Sequence, residues 1–185
     1  MTKFEISLRN LDFFFSENSV EYVIIGGIAV IVYGEQRTTR DIDATVLCEL
    51  EDLDSFHKLI EKKFTPAFKN TLDYLKRNFI LPVDDPDTNL RIDIAAGLTE
   101  FDKNVIKRKI KRKYGKVEIF VCSLEDLIIY KLFAGRDQDV SDVKSLIVKN
   151  FKIDKSYLLS TAEKFRELER EDIIDNLNKF LQDVS

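Results

Sequence analysis

Between Tyr22 and Thr45 the chain reads YVIIGGIAVIVYGEQRTTRDIDAT, and this stretch constrains the fold more than any other. Four β-forming residues, Tyr22 to Ile25, run directly into a glycine pair, Gly26 and Gly27. A short apolar segment, Ile28 to Tyr33, follows and ends at Gly34. The polar run Arg37-Thr38-Thr39-Arg40 then leads into DIDATVLC, residues 41–48, which alternates as a strand. On such a strand Asp41, Asp43 and Thr45 share one face, while Ile42, Ala44 and Val46 point toward a core. The order is strand, glycine turn, short helix, and a second strand carrying two carboxylates.

The flanking segments read as follows. Phe4, Leu8, Leu11 and Phe15 recur at helical spacing, so an amphipathic helix opens the chain over residues 4–18. A further helix is predicted over about 52–64, with Leu53, Phe56, Ile60 and Phe64 as its core stripe. His57 lies beside that stripe without an evident acidic or hydroxyl partner and reads as structural. Residues 66–81 are compatible with a short helix running into a strand, and PVDDPDTN, 82–89, with a turn-rich acidic loop. LRIDIAAG, 90–97, is a short apolar strand with one acid, Asp93, between Ile92 and Ile94. A carboxylate there needs a partner, a metal or solvent. Residues 106–121 read as a β-hairpin around Tyr114-Gly115. From Ser123 onward the pattern is helical. Ser123 and Asp126 offer a capping box, and Gly135 a stop, for the first of these helices. The expected fold is thus mixed α/β (α+β), with an α/β unit over 1–122 and a helical bundle over 123–185.

Composition narrows the chemistry. At 185 residues, 44% hydrophobic and 34% charged, the chain has the make-up of a soluble globular protein. No apolar run approaches a membrane span, and MTKFEISLRN lacks signal-peptide form, so a cytoplasmic protein with no membrane association is expected. Cys48 and Cys122 stand alone and read as thiols. With a single histidine and no cysteine cluster, zinc is nearly excluded, and a bound metal would be held by oxygen. The net charge is −4, yet eight basic residues and no acid lie between Lys103 and Lys116. The Lys107–Lys116 hairpin is compatible with an RNA or tRNA contact and equally with a solvated surface.

The acids carry the functional reading. Asp41 and Asp43, two apart on a strand, present oxygen donors suited to Mg²⁺, which prefers hard ligands and keeps water and phosphate in its shell. Asp93 on a neighbouring strand would allow a pair of ions roughly 3.5–4 Å apart, the arrangement of two-metal phosphoryl transfer. Gly26 and Gly27 let the backbone approach a triphosphate, and the following helix would direct N–H groups toward it. An extended approach to the strand would put Arg37 and Thr39 on the face of Asp41, a guanidinium and a hydroxyl beside the phosphates. Lys131 interrupts LIIYKLFA and must either snorkel or meet an anion. Asp137, Asp139 and Asp142 read at least as well as acids favouring a helix N-terminus.

Gly26-Gly27, thirteen intervening residues, Asp41-Ile42-Asp43, and the later Ile92-Asp93-Ile94 together resemble the signature of the DNA polymerase β-type nucleotidyltransferase superfamily. GGIAVIVYGEQRTTRDID, with the later SLEDLIIYKLFAGRDQDVSDV, is similar to the AbiEii-like (type IV toxin) and related small nucleotidyltransferases, over roughly residues 20–147. The resemblance implies a mixed sheet flanked by helices, and transfer of a nucleoside monophosphate from an NTP, ATP among them, to an acceptor hydroxyl with release of pyrophosphate. It implies Asp41, Asp43 and Asp93 as ligands of two Mg²⁺ ions, with Mn²⁺ as a substitute, and Asp93 as the acid assisting the attacking group. Gly26 and Gly27 would bind triphosphate, and the lysine, arginine and acid of the toxin-like families fall on Lys131, Arg136 and Asp142. A toxin would also imply an antitoxin protein as partner. The superfamily often has serine at the second glycine, so Gly27 lacks that hydroxyl. The alternative reading is a catalytically inactive nucleotide- or RNA-binding module of the same fold.

Overall fold

The computed structural model describes residues 1–150 and 152–182. Its centre is a seven-stranded mixed sheet. The strands are β1 (Tyr22–Ile25), β2 (Asp41–Leu47), β3 (Thr65–Pro66), β4 (Ile80–Asp85), β5 (Leu90–Gly97), β6 (Ile110–Tyr114) and β7 (Val117–Val121). Their spatial order is β3-β4-β5-β2-β1-β7-β6. β2 runs parallel to β5 and β1 parallel to β7, while the remaining neighbours are antiparallel.

Alternation along the central strands sorts their side chains between two cores. Ile24, Ile42, Ala44, Val46, Ile92 and Ile94 are fully buried on one face. There they meet α1 (Lys3–Glu17), α3 (Leu53–Ile60) and α4 (Thr71–Asn78) through Leu8, Leu11, Phe15, Phe56, Ile60 and Leu75. The second core gathers Val23 of β1, Ala29 and Val30 of α2 (Gly26–Val32), and α5 (Glu100–Lys107) with the helices that follow the sheet. Those helices are α6 (Leu124–Ala134), α7 (Asp137–Lys149), α8 (Lys155–Glu163) and α9 (Glu171–Gln182). The period-two pattern therefore places Asp41 and Asp43 opposite the first core, on the side that α6 and α7 cover.

Local chemistry accounts for the ends of these elements. α1 starts in a capping box, in which Thr2 Oγ1 accepts from the Glu5 N–H and the Glu5 carboxylate accepts from the Thr2 N–H. Ser123 caps α6 by accepting from the Asp126 N–H, and Gly135 stops the helix as expected. The Asp126 carboxylate does not close a reciprocal box. It is fully buried and accepts from Ser123 Oγ at 2.6 Å, Tyr157 Oη at 2.7 Å and Arg108 Nε at 3.2 Å. This carboxylate ties the start of α6 to α8.

Three expectations need correction. The acidic loop is shorter than 82–89, because β4 continues through Asp85. Pro82 fits inside it as an acceptor only, its carbonyl receiving the Ala67 N–H at 3.1 Å. Asp85 is buried and accepts from Asn10 and from the Asp87 N–H, and Asp84 pairs with Arg91, so these acids are committed to structure. The hairpin begins at Ile110 rather than Ile106, which lies in α5, and its register pairs Ile110 with Val121 and Tyr114 with Val117. His57 does have partners: its Nε2 lies 2.9 Å from Thr71 Oγ1 and its Nδ1 3.3 Å from Glu61, one helical turn on. Through Thr71 it links α3 to α4. Cys48 and Cys122 are free thiols, with Cys122 buried. Among the described residues no helix is long and apolar enough to cross a membrane.

Candidate active site

The parallel pairing of β2 with β5 sets Asp43 directly beside Asp93, and the antiparallel pairing with β1 sets Asp43 opposite Ile25. Three carboxylates from two adjacent strands thus share one sheet face, at the point where β1 turns into α2. They line a cleft of about 620 Å³ together with Gly26, Gly27, Arg37, Thr39, Lys131 and Arg136. Nine of the ten predicted site residues converge there. Asp142, the tenth, sits behind the wall.

The glycine pair is required by closeness. Gly26 has φ +61°, and a Cβ on it would lie 1.9 Å from Asp43 Oδ2. A Cβ on Gly27 would lie 2.6 Å from Thr39 Oγ1 and 3.6 Å from Arg37 Nη2. The backbone of the turn therefore touches the carboxylate on one side and the Thr39-Arg37 pair on the other. The Gly27 N–H is engaged by Asp43, and α2 has only seven residues, so the turn does not present the expected set of free helix N–H groups. Thr39 Oγ1 lies 3.1 Å from Asp41 Oδ1, which braces the first carboxylate.

Burial and mutual repulsion dominate the electrostatics. Burial pushes the Asp43 carboxyl up to about 6, and the neighbouring Asp41 and Asp93 charges add to that. Asp93 is also raised, by burial and by Asp41, with Arg91 opposing. The cluster carries negative charge that the protein does not neutralise. Among the described residues no three acidic, histidine or cysteine side chains form a closed metal cage. Mg²⁺ does not need one, since it takes one or two carboxylates and completes its shell with water and phosphate. Hard oxygen donors with an unrelieved charge fit that ion.

On the opposite wall, cations from the helical segment are held by their own acids. Lys131 is buried and donates to Asp139 at 2.7 Å, with Asp142 at 2.9 Å. It does not snorkel. Arg37 Nη1 donates to Asp142, and Gln138 donates to the other Asp142 oxygen at 3.1 Å. Arg136, largely exposed at the head of α7, donates to Asp139 at 2.6 Å. Burial raises the Asp139 carboxyl, but hydrogen bonds from Arg136 and Lys131 outweigh it and hold the group below its usual range. Asp139 is thus the acid at the cleft wall, and Asp142 positions Arg37 and Lys131 from behind.

Four further cleft residues, Thr45, Asp102, Tyr130 and Gln138, were not anticipated as site residues. For Thr45 a signal existed, because it shares the strand face of Asp41 and Asp43. Tyr130 donates to Asp102 Oδ1 at 2.7 Å, and its hydroxyl is pushed up by burial and then by the Asp102 charge. No local pattern brings α5 and α6 together in this way. The basic segment is half neutralised. Lys103, Arg108, Lys109 and Lys111 pair with carboxylates. Among the described residues Lys107, Arg112, Lys113 and Lys116 have no ion pair.

Residues 6–182 match the family described as "Nucleotidyltransferase of unknown function (DUF6036)". The chain belongs to that family and is, by class, a nucleotidyltransferase. No curated protein matches its sequence. Among solved structures, the lincosamide antibiotic adenylyltransferase LnuA with lincomycin bound is similar at TM-score 0.50 and 18% identity, over 81% of this chain and 99% of that one. A nucleotidyltransferase-like protein from Paracoccidioides brasiliensis is similar at TM-score 0.53 and 13% identity, over 95% and 92%. ANT(2")-Ia in complex with adenylyl-2"-tobramycin is similar at TM-score 0.51 and 12% identity, over the full length of both chains. At these identities the likeness is one of fold.

Proposed function

We propose that this protein transfers a nucleoside monophosphate from an NTP to an acceptor hydroxyl and releases pyrophosphate. The observation that carries the reading is the in-register pairing of Asp43 with Asp93, which brings three acids to one face beside the Gly26-Gly27 turn. Asp41, Asp43 and Asp93 would hold two Mg²⁺ ions, for which Mn²⁺ would substitute. Bound there, the metal supplies charge neutralisation at the phosphorus and lowers the pKa of an attacking hydroxyl. Gly26 and Gly27 give the phosphates access, and Arg37 and Thr39 flank them. Lys131 and Arg136 face the developing negative charge from the helical wall, in a site whose dipoles are already fixed. Asp142 keeps Arg37 and Lys131 in place. In this division of labour residues 1–122 supply the carboxylates and Arg37, and residues 123–185 supply Lys131 and Arg136.

Two of the similar structures are antibiotic adenylyltransferases, which supports ATP as donor and a small hydroxyl compound as acceptor. The motif resemblance alone supports the AbiEii-like subtype and an antitoxin partner, the charge of the basic segment an RNA acceptor, and the composition cytoplasmic action. The test uses purified protein, Mg²⁺ and NTPs labelled at the α-phosphate, with a panel of RNA, protein and small-alcohol acceptors. Label transfer that Asp41→Asn and Asp93→Asn abolish is the expected result. Tight NTP binding with no pyrophosphate release in the presence of any acceptor would instead leave a binding module.

A further inference from the structure

A second cavity of about 410 Å³ lies beside the carboxylate cleft, walled by Phe101, Tyr130, Phe133, Phe165 and Leu168. Asp102, Tyr130 and Phe133 line both spaces, so they share a wall. Residues 99–102 and Asn104, from the segment that follows β5, line one side of it. The phosphate cradle meets the Asp41–Asp43 end of β2, whereas Asp102 flanks Gly97 beside Thr45, further along that strand. In phosphoryl transfer the attacking and leaving oxygens are roughly in line, so a hydroxyl enters from the side away from the departing pyrophosphate. The cavity is on that side of the acids.

Its chemistry specifies what would fit. The inner polar groups are committed, because Tyr130 donates to Asp102 and the other Asp102 oxygen accepts from Thr99 Oγ1 at 2.6 Å. Apart from Thr161, the exposed Asn104 and two rim charges, what remains of the lining is apolar. The rings meet edge to face or tilted, with Phe101 at 67° to Tyr130 and 76° to Phe165, and Phe133 at 53° to Phe165. Such walls form a cup, whereas a flat nucleobase is held by parallel faces. Glu100 and Lys164 at the rim carry one charge of each sign. A polyanion would meet this apolar wall and three carboxylates, with half of the basic segment already paired.

We infer that this cavity is the acceptor site, and that the acceptor is a small, uncharged alcohol with a non-planar apolar body. The inference rests on the nucleotidyltransfer reading. The alcohol oxygen forms a bond to the α-phosphorus, the bond to the bridging oxygen breaks, and pyrophosphate leaves. The hydroxyl proton passes to the carboxylate cluster, and the product is a phosphodiester of the alcohol.

The experiment combines MgATP titration calorimetry with transfer from α-labelled ATP to cyclohexylmethanol, hexyl glucoside or total tRNA. Leu168→Lys is the variant, since Leu168 is 64% exposed and its replacement leaves the core intact. The expected result is labelled alcohol, an acceptor KM raised about tenfold or more by the variant, and MgATP affinity unchanged within about twofold. Three results would overturn the inference: MgATP bound with no alcohol labelled, tRNA labelled in place of the alcohols, or MgATP affinity lost in Leu168→Lys, which would make the cavity a base pocket. Wild-type protein that does not bind MgATP would overturn the nucleotidyltransfer reading itself.

Discussion

Asp43→Asn should make the metal-free protein more stable while abolishing turnover. The Asp43 carboxyl is displaced from 3.8 to about 6, first by burial and then by its two acidic neighbours. At about 1.4 kcal/mol per pKa unit, this is a penalty of roughly 3 kcal/mol on the native state once the group is ionised. The direction follows from proton counting. Between pH 4 and 6 the native state holds the proton and the unfolded chain has lost it, so stability falls as pH rises and the full penalty stands above pH 6. Asparagine removes the charge, keeps an acceptor for the Gly27 N–H, and weakens that bond by about 1 kcal/mol. The net gain at pH 7.5 is then about 2 kcal/mol, or a Tm rise of roughly 4–8 °C for a chain of this size.

Denaturant unfolding at pH 5 and pH 7.5, without metal, measures it. The margin of Asp43→Asn over wild type should be clearly smaller at pH 5, where only about half of the wild-type penalty has developed. Saturating Mg²⁺–NTP should reverse the order, because only wild type gains from it, by about 2.7 kcal/mol at a hundredfold excess over Kd. A variant no more stable than wild type at pH 7.5, or with the same margin at both pH values, would refute the claim that the cluster is charged against itself.

Lys131→Met should cost about 3–5 kcal/mol in urea unfolding, because Asp139 and Asp142 stay buried without their shared cation. Adding Asp142→Asn should recover part of that loss, and no recovery would mean that packing rather than charge holds the wall. Gly27→Ala should destabilise by about 1–3 kcal/mol and weaken NTP binding, since its Cβ would land 2.6 Å from Thr39 Oγ1. Unchanged NTP affinity in a folded Gly27→Ala protein would remove this turn from the phosphate site. RNA added to the protein should bind with a log–log salt slope no steeper than about −3, given four unpaired cations on the basic segment. A steeper slope would locate an RNA surface elsewhere.

What the sequence made legible was whatever depends on local geometry. The two-residue period put Asp41, Asp43 and Thr45 on one face, and an acid inside an apolar strand marked Asp93 before any pairing was known. The Ser123 cap and the Gly135 stop follow from single residue types. Adjacency did not follow from local pattern, because β2 and β5 are parallel neighbours separated by two other strands in sequence. Only the motif resemblance brought Asp93 to Asp43. The boundary at Asp85 was misread because turn-forming residues also fit a strand in which Pro82 needs only to accept. Asp139 was hidden among like acids, and its role is visible only from Lys131 across the interface of α6 and α7.

The placement of charge links fold to chemistry. Each of the three acids comes from a strand, where register fixes its position. Lys131 and Arg136 come from or beside a helix that packs over those strands. The carboxylates repel one another, whereas buried Lys131 and partly buried Arg37 are paired with Asp139 and Asp142. Those two acids make the cationic wall stable in the resting protein, so nucleotide need not supply the first counter-charge for Lys131. A buried lysine held at 2.7 and 2.9 Å by two acids is also fixed in direction, which is what a preorganised group facing an anion requires. An isolated segment ending at residue 122 would keep all three carboxylates and lose the wall. It would therefore be expected to bind divalent metal more readily than nucleotide, a separation that calorimetry on the intact chain and on Lys131→Met can measure without requiring the segment to fold alone.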